Sequence, residues 1–79
     1  MNRRLYGDHL DQVGAWLEAG WQIEEPVVQR SVYYTVAGRV SAFELVLHCR
    51  DERRVIALEA VPAVQAFLRQ RELAVLELA

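Results

Sequence analysis

Lysine is absent from this chain, and cysteine, proline and glycine are scarce. The 79 residues include nine basic residues, all of them arginine, together with one cysteine, two prolines and four glycines. The single cysteine, Cys49, can form neither an internal disulfide nor a multi-cysteine metal site. A hydrophobic content of 53% with so few chain-breaking residues excludes a disordered tail. The composition therefore indicates a folded domain in a reducing compartment, and we expect it to be cytoplasmic.

Long apolar runs are missing as well. No run approaches the ~18 residues that cross a bilayer, and the N-terminal segment turns polar before any apolar region of about seven residues. We therefore expect neither a membrane anchor nor a signal peptide. The length predicts one domain over residues 1–79. A net charge of −2 provides no general attraction to phosphate backbones or to anionic lipid.

Two segments carry helical patterns. The first is expected near residues 9–19, with Asp8 as its N-cap and Gly20 as its left-handed C-cap. Its apolar residues recur at helical spacing and define a core-facing stripe of Leu10, Val13, Trp16 and Leu17. The second begins at Pro62, a favoured first helical residue, and runs to about Arg71. Its inner face is predicted at Val64, Phe67 and Leu68.

Three segments between the helices are rich in the residues that favour strands. They are expected at 27–36, 40–49 and 54–59, with turns at 37–39 and 50–53. Residues 73–78 either extend the second helix or return as a fourth strand, and the alternation of Ala74, Leu76 and Leu78 favours the strand. The predicted fold is α+β, in two layers: a three-stranded antiparallel meander with both helices on one face, in the order α-β-β-β-α(-β).

Hairpin parity predicts which residues face the core. Apolar residues of the second strand fall on odd positions and those of the first strand on even ones. Cross-strand partners share a face, so each hairpin loop must contain an even number of residues. The expected pairs are Val32 with Phe43, Val28 with Leu47, Leu47 with Ile56, and Leu45 with Leu58. Both hairpins then agree on one core face, and the helices pack on it.

The outer face of this sheet is the most informative surface. It is predicted to carry an apolar patch rimmed by polar groups, made of Tyr33, Val46, Val55 and Ala57. Exposed apolar clusters of this kind mark protein contacts, among which homodimers are the commonest. An antiparallel sheet of ordinary composition, with one face on the core and the other in solvent, would show a similar face.

Three charged residues are candidates for ligand or ion contacts. The predicted register places Glu44 opposite Glu59, and two adjacent carboxylates in a cleft could exchange protons or bind a cation. Arg30 is predicted on the core face between Val28 and Val32, with its guanidinium reaching the rim. Solvated carboxylates and an arginine whose stem packs on the core are the alternatives that need no ligand.

No catalytic or metal-binding motif stands in the sequence. The four glycines are too isolated for a phosphate loop, a dinucleotide fingerprint or a nucleophile elbow. His48 and Cys49 are neighbours in a predicted strand and must point to opposite faces, which excludes a shared metal ion or a catalytic pair. We therefore expect no enzyme activity, no cofactor and no identifiable small-molecule ligand.

The sequence favours a small interaction module that binds protein, most simply a second copy of itself. The alternative is a nucleic-acid binder, since helix, three-strand meander and helix follow one another as in the double-stranded RNA-binding architecture, and Trp16, Trp21, Tyr33 and Tyr34 could stack on bases. That class needs a basic helix start to grip phosphates. Here residues 60–63 are Ala-Val-Pro-Ala, so the resemblance is one of topology alone.

Overall fold

The computed structural model describes the backbone of residues 5–36 and 38–78, and the side chains of 9–30, 36, 38 and 40–78. Two helices and five strands occur in this part of the chain. In chain order they are α1 (Leu5–Glu18), β1 (Gln22–Ile23), β2 (Val27–Thr35), β3 (Gly38–Cys49), β4 (Glu52–Glu59), α2 (Pro62–Gln70) and β5 (Val75–Leu78). The α+β class is therefore confirmed, as is the strand expected near the C-terminus.

The sheet is mixed and is centred on β3. Residues 42–44 of β3 pair with both β2 and β4, so these two strands occupy opposite edges of β3. The short β1 pairs with residues 47–48 of β3 on the same edge as β2. Strand β5 lies beside β2 and runs parallel to it. The predicted three-stranded antiparallel meander is present as β2, β3 and β4. The sheet as a whole is mixed because the chain crosses over through α2 before β5 pairs with β2.

The first hairpin contains a bulge that overturns the predicted facing of β2. Near the turn, Tyr33 pairs with Val40, which preserves the expected odd parity. The register then shifts between Arg30 and Tyr33, so that Val28 pairs with Glu44 rather than Leu47. An extra residue in one strand reverses the facing of everything beyond it. Val27 is consequently buried in the core, although the even positions of this strand were predicted to face the core.

The second hairpin has the predicted parity and a shorter loop. Its two-residue loop consists of Arg50 and Asp51, where four residues were expected. The partners therefore move by two positions, and Leu45 lies opposite Ile56. A slip of two residues leaves every side chain on its predicted face. The odd positions of β3 do face the core, where Leu45 and Leu47 are fully buried.

Both helices cover the odd face of β3, as predicted. Val13 of α1 and Val64 and Leu68 of α2 are buried there. Phe67 and the other apolar residues of the α1 stripe pack around this cluster and are partly buried: Leu10, Trp16 and Leu17. Helix α1 begins at Leu5, so Asp8 lies in its first turn and the predicted N-cap at Asp8 was wrong.

The two helices end in the same way. Behind α1, the N–H of Trp21 donates to Trp16 O and that of Gly20 to Leu17 O, which is the Schellman pattern. Gly20 has the predicted left-handed conformation, with φ of 104°. Behind α2, Leu73 donates to Leu68 O, and the left-handed position is held by Glu72. The first of these endings places Trp21 beside Trp16.

Candidate interaction surface

The outer face of the sheet is the side that neither α1 nor α2 covers. The register arranges its residues in four rows across the strands. From one end of β4 to the other, the rows are Gln22, His48 and Arg53; then Val46 and Val55; then Leu76, Val28, Glu44 and Ala57; then Leu78, Arg30, Ala42 and Glu59. Charged residues therefore lie in both end rows. The two central rows contain one charged residue, Glu44, and are otherwise apolar.

Three of the predicted contact residues lie together in the central rows. Val46 and Val55 are direct cross-strand partners, and Ala57 follows one row further along β4. Val55 is 69% exposed, and Leu76 on β5 is 49% exposed. Val46, Val55, Ala57 and Leu76 are called the apolar patch from here on. Tyr33 pairs with Val40 nearer the first turn, and its side chain lies outside the described residues.

Arg30 and Glu44 form an ion pair on the outer face. Arg30 Nε lies 3.1 Å from Glu44 Oε1, and both side chains are partly exposed. The prediction that Arg30 faces the core was wrong, because the bulge in β2 turns it outward. Partly exposed pairs of this kind contribute little to stability, roughly 0 to 1 kcal/mol. The contact fixes both side chains beside the apolar patch.

Glu44 and Glu59 are not cross-strand partners, so the predicted carboxylate pair was wrong. The shorter second loop places Ala57 opposite Glu44, and Ala42 opposite Glu59. The two acids therefore lie on a diagonal, and Glu44 has Arg30 as its partner. Ala42 is only 4% exposed although it lies on the outer face, between Arg30 and Glu59 in its row.

A second charged cluster lies at the other end of the outer face, in the row of His48 and Arg53. Arg53 binds both carboxylate oxygens of Glu24, with Nη2 2.8 Å from Oε1 and Nε 3.1 Å from Oε2. Such a bidentate pair fixes the guanidinium plane. His48 lies beside it, with Nδ1 3.3 Å from Glu24 Oε2 as a close approach without a hydrogen bond. Its other ring nitrogen lies 3.2 Å from Gln22 Oε1.

The charge of the outward side chains consequently changes from one end of β4 to the other. Along this strand the side chains read basic, apolar, apolar, acidic, at Arg53, Val55, Ala57 and Glu59. Such an order is self-complementary when two copies meet antiparallel, because each end then meets the opposite charge.

The tryptophans lie on the other side of the molecule, around an arginine that the sequence had not singled out. Arg54 shares a face with buried Leu47. Its guanidinium carbon lies 5.2 Å from the Trp16 ring centroid and 4.6 Å from that of Trp21. The two rings are 6.0 Å apart. Cation–π contacts of this geometry stabilise the end of α1 against β4, and predicting them from sequence would have required the correct register.

A metal site is not found in the described part of the chain. No group of three or more His, Cys, Asp or Glu residues converges there in a way that could hold a metal ion. Cys49 is a partly buried free thiol beside the second turn. Among the described residues, no helix has both the length and the apolar character needed to cross a membrane.

Comparison with known proteins adds no family to this picture. No protein-family model, no curated protein and no solved structure matches the chain.

Proposed function

We propose that this chain is a small, non-catalytic interaction module that forms a homodimer through the outer face of its sheet. The observation that carries the proposal is the self-complementary order of side chains on β4. An apolar centre with exposed Val55 lies between Arg53, which is ion-paired with Glu24, and Glu59. A surface that matches its own copy is what a twofold dimer requires.

The proposed contact brings the two sheets face to face with their β4 strands antiparallel. The twofold axis lies in the interface, perpendicular to the strands, and crosses β4 between Val55 and Ala57. Arg53 of each copy then meets Glu59 of the other, and Val55 meets Ala57. Sheets packed in this way lie about 10 Å apart, with their side chains interdigitated.

The size of the face suits such a contact. Four strands spaced at ~4.8 Å cover about 19 Å, and eight residues of strand extend about 26 Å at ~3.3 Å each. The flat area is therefore about 500 Å², and the relief of the side chains raises the accessible area above this value. Stable interfaces bury about 800 Å² per partner, so the whole face, including the relief of its side chains, would have to be covered.

Pairing through the free edge of β4 is a less favourable way to join two copies. His9 of α1 donates from Nδ1 to Ala57 O at 3.4 Å on this edge. A second strand would have to displace that contact before it could hydrogen-bond to Ala57. Covering an edge strand is a common way to prevent edge-to-edge pairing. Face-to-face packing leaves the His9 contact intact.

The remaining features support a cytoplasmic protein-binding role more than nucleic-acid binding. The lone cysteine suits a reducing compartment. Trp16 and Trp21 already stack with Arg54, which leaves their rings less free for bases. The start of α2 has no acidic or basic residue in its first turn that could contact a phosphate or its counter-ion. We therefore place the role in a protein contact and not in chemistry on a substrate.

The experiment is a measurement of molar mass by sedimentation equilibrium for the wild type and for Val55→Asp. We expect the wild type to have twice the chain mass at micromolar concentration and Val55→Asp to be monomeric, because a carboxylate would be buried against Ala57 of the other copy. Circular dichroism should show an unchanged fold, since Val55 is exposed in the single chain.

The matched control is Val36→Asp. Val36 is also an exposed valine but lies in the first turn, away from the apolar patch. This variant should keep the wild-type mass. A wild type that stays monomeric at high micromolar concentration, or a folded Val55→Asp that still dimerises, would contradict the proposal.

A further inference from the structure

A groove lies on the helix side of the sheet, between α2 and the β2–β5 edge. Its volume is about 280 Å³. The floor is apolar and is formed by Phe43, Leu68, Leu73 and Val75. Val75 is 43% exposed although it occupies the core face beside Val27. The helices therefore leave this part of the core face uncovered, with apolar surface open to an occupant.

The rim of the groove is polar and carries one positive charge. Gln65 and Arg69 lie one helical turn apart on α2, and Gln29 reaches the groove from β2. Gln29 is opposite Phe43 in the register, which places an amide at the floor's edge. None of the described lining residues is acidic. No described acid lies within ion-pair distance of Arg69.

We propose that this groove binds a medium-chain carboxylate. The alkyl chain lies on the floor formed by Phe43, Leu73 and Val75, and the carboxylate binds the guanidinium of Arg69. A planar guanidinium matches a carboxylate with two parallel hydrogen bonds. The amide of Gln65, one helical turn from Arg69 on α2, can donate a further hydrogen bond to the same oxygens. An apolar floor with a few convergent polar groups is the usual composition of a small-ligand site.

The size and charge of the groove set the ligand and its direction. A volume of about 280 Å³ leaves room for a short alkyl chain, and we take eight carbons as its length. Glu77 is the next residue along β5 on the face that carries Val75, beyond the groove. Its charge disfavours an anionic head on the β5 side, so the carboxylate lies on the α2 side beside Arg69.

The test is a titration of the isotopically labelled full chain with sodium octanoate, followed by backbone amide chemical shifts. Octanol and octylamine serve as probes of the same length. We expect octanoate to shift the amides of Phe43, Leu68, Leu73 and Val75, and to bind more tightly than either probe. Arg69→Gln should raise the octanoate dissociation constant about five- to tenfold and leave that of octanol nearly unchanged.

Arg71→Gln is the matched control. Arg71 stacks over the Phe67 ring and does not line this groove, so octanoate affinity should be unchanged. Equal affinity for the three probes, an equal loss in Arg69→Gln and Arg71→Gln, or shifts confined to the outer face would overturn the proposal. Because the groove and the outer face lie on opposite sides of the sheet, failure of dimerisation leaves this result unaffected. If octanoate does not bind, the proposed dimer is likewise unaffected.

Discussion

Arg53 and Glu59 lie at opposite ends of one face of β4, with Val55 and Ala57 between them. Both charged side chains project on the same side as the apolar patch because residues two apart in a strand share a face. A second copy stacked antiparallel would therefore place each arginine over a glutamate. A parallel arrangement would bring like charges together and would be disfavoured.

The first prediction concerns this charge order. Arg53→Glu alone and Glu59→Arg alone should each weaken the homodimer, because each creates two like-charged contacts across the twofold axis. Rim contacts contribute about 0.5 to 1 kcal/mol each, so the dissociation constant should rise about tenfold. An equimolar mixture of the two variants should recover wild-type affinity, since both contacts in the mixed dimer join opposite charges. Sedimentation equilibrium of each variant and of the mixture measures this.

The mixture is informative because Arg53 also binds Glu24 within its own chain. If the loss of that contact were the cause, the dimers that contain Arg53→Glu would be weaker both in the single variant and in the mixture. Glu52→Arg is a suitable control, because Glu52 is on the same strand but faces the helix side. A mixture no tighter than its components would refute the antiparallel arrangement.

The sequence predicted the elements of this fold better than their pairing. Helix and strand positions follow from local periodicity, and residues such as Leu45 and Val64 are buried as their spacing indicates. The facing of Arg30 depends on a bulge with no local signal, because an extra residue can be inserted wherever the partner strand tolerates it. The parallel pairing of β5 depends on the return path of the chain after α2, which periodicity does not encode.

The candidate surface was predictable to the same extent. Val46, Val55 and Ala57 were placed correctly on the outer face because a two-residue change in loop length preserves parity. Glu44 and Glu59 were misplaced because contact between two particular side chains requires the exact pairing. The groove at Arg69 was not predicted, since it depends on how much of the sheet α2 covers.

The second prediction concerns Arg54. Replacing it with glutamine should lower the free energy of unfolding by about 1 kcal/mol, because two cation–π contacts are lost at an exposed site. For a domain of this size that corresponds to a fall in Tm of about 4 to 8 °C. Tryptophan fluorescence should change in the folded state, since the guanidinium lies against both rings. Arg69 has no ring contact among the described residues, so Arg69→Gln should leave the tryptophan fluorescence unchanged.

The third prediction concerns the second turn, where Arg50 has φ of 58°. This left-handed conformation costs an L-residue about 1 to 2 kcal/mol, whereas glycine adopts it freely. Arg50→Gly also increases the entropy of the unfolded chain, which offsets about 0.4 to 1 kcal/mol of the gain. We expect the free energy of unfolding, measured with urea, to rise by about 0.5 to 1 kcal/mol. Its dependence on urea concentration, the m value, should be unchanged. Asp51→Gly in the same loop is the control, because Asp51 has no positive φ to relieve and should only lose stability. A loss of stability in Arg50→Gly equal to that in Asp51→Gly would show that the turn is not strained at Arg50.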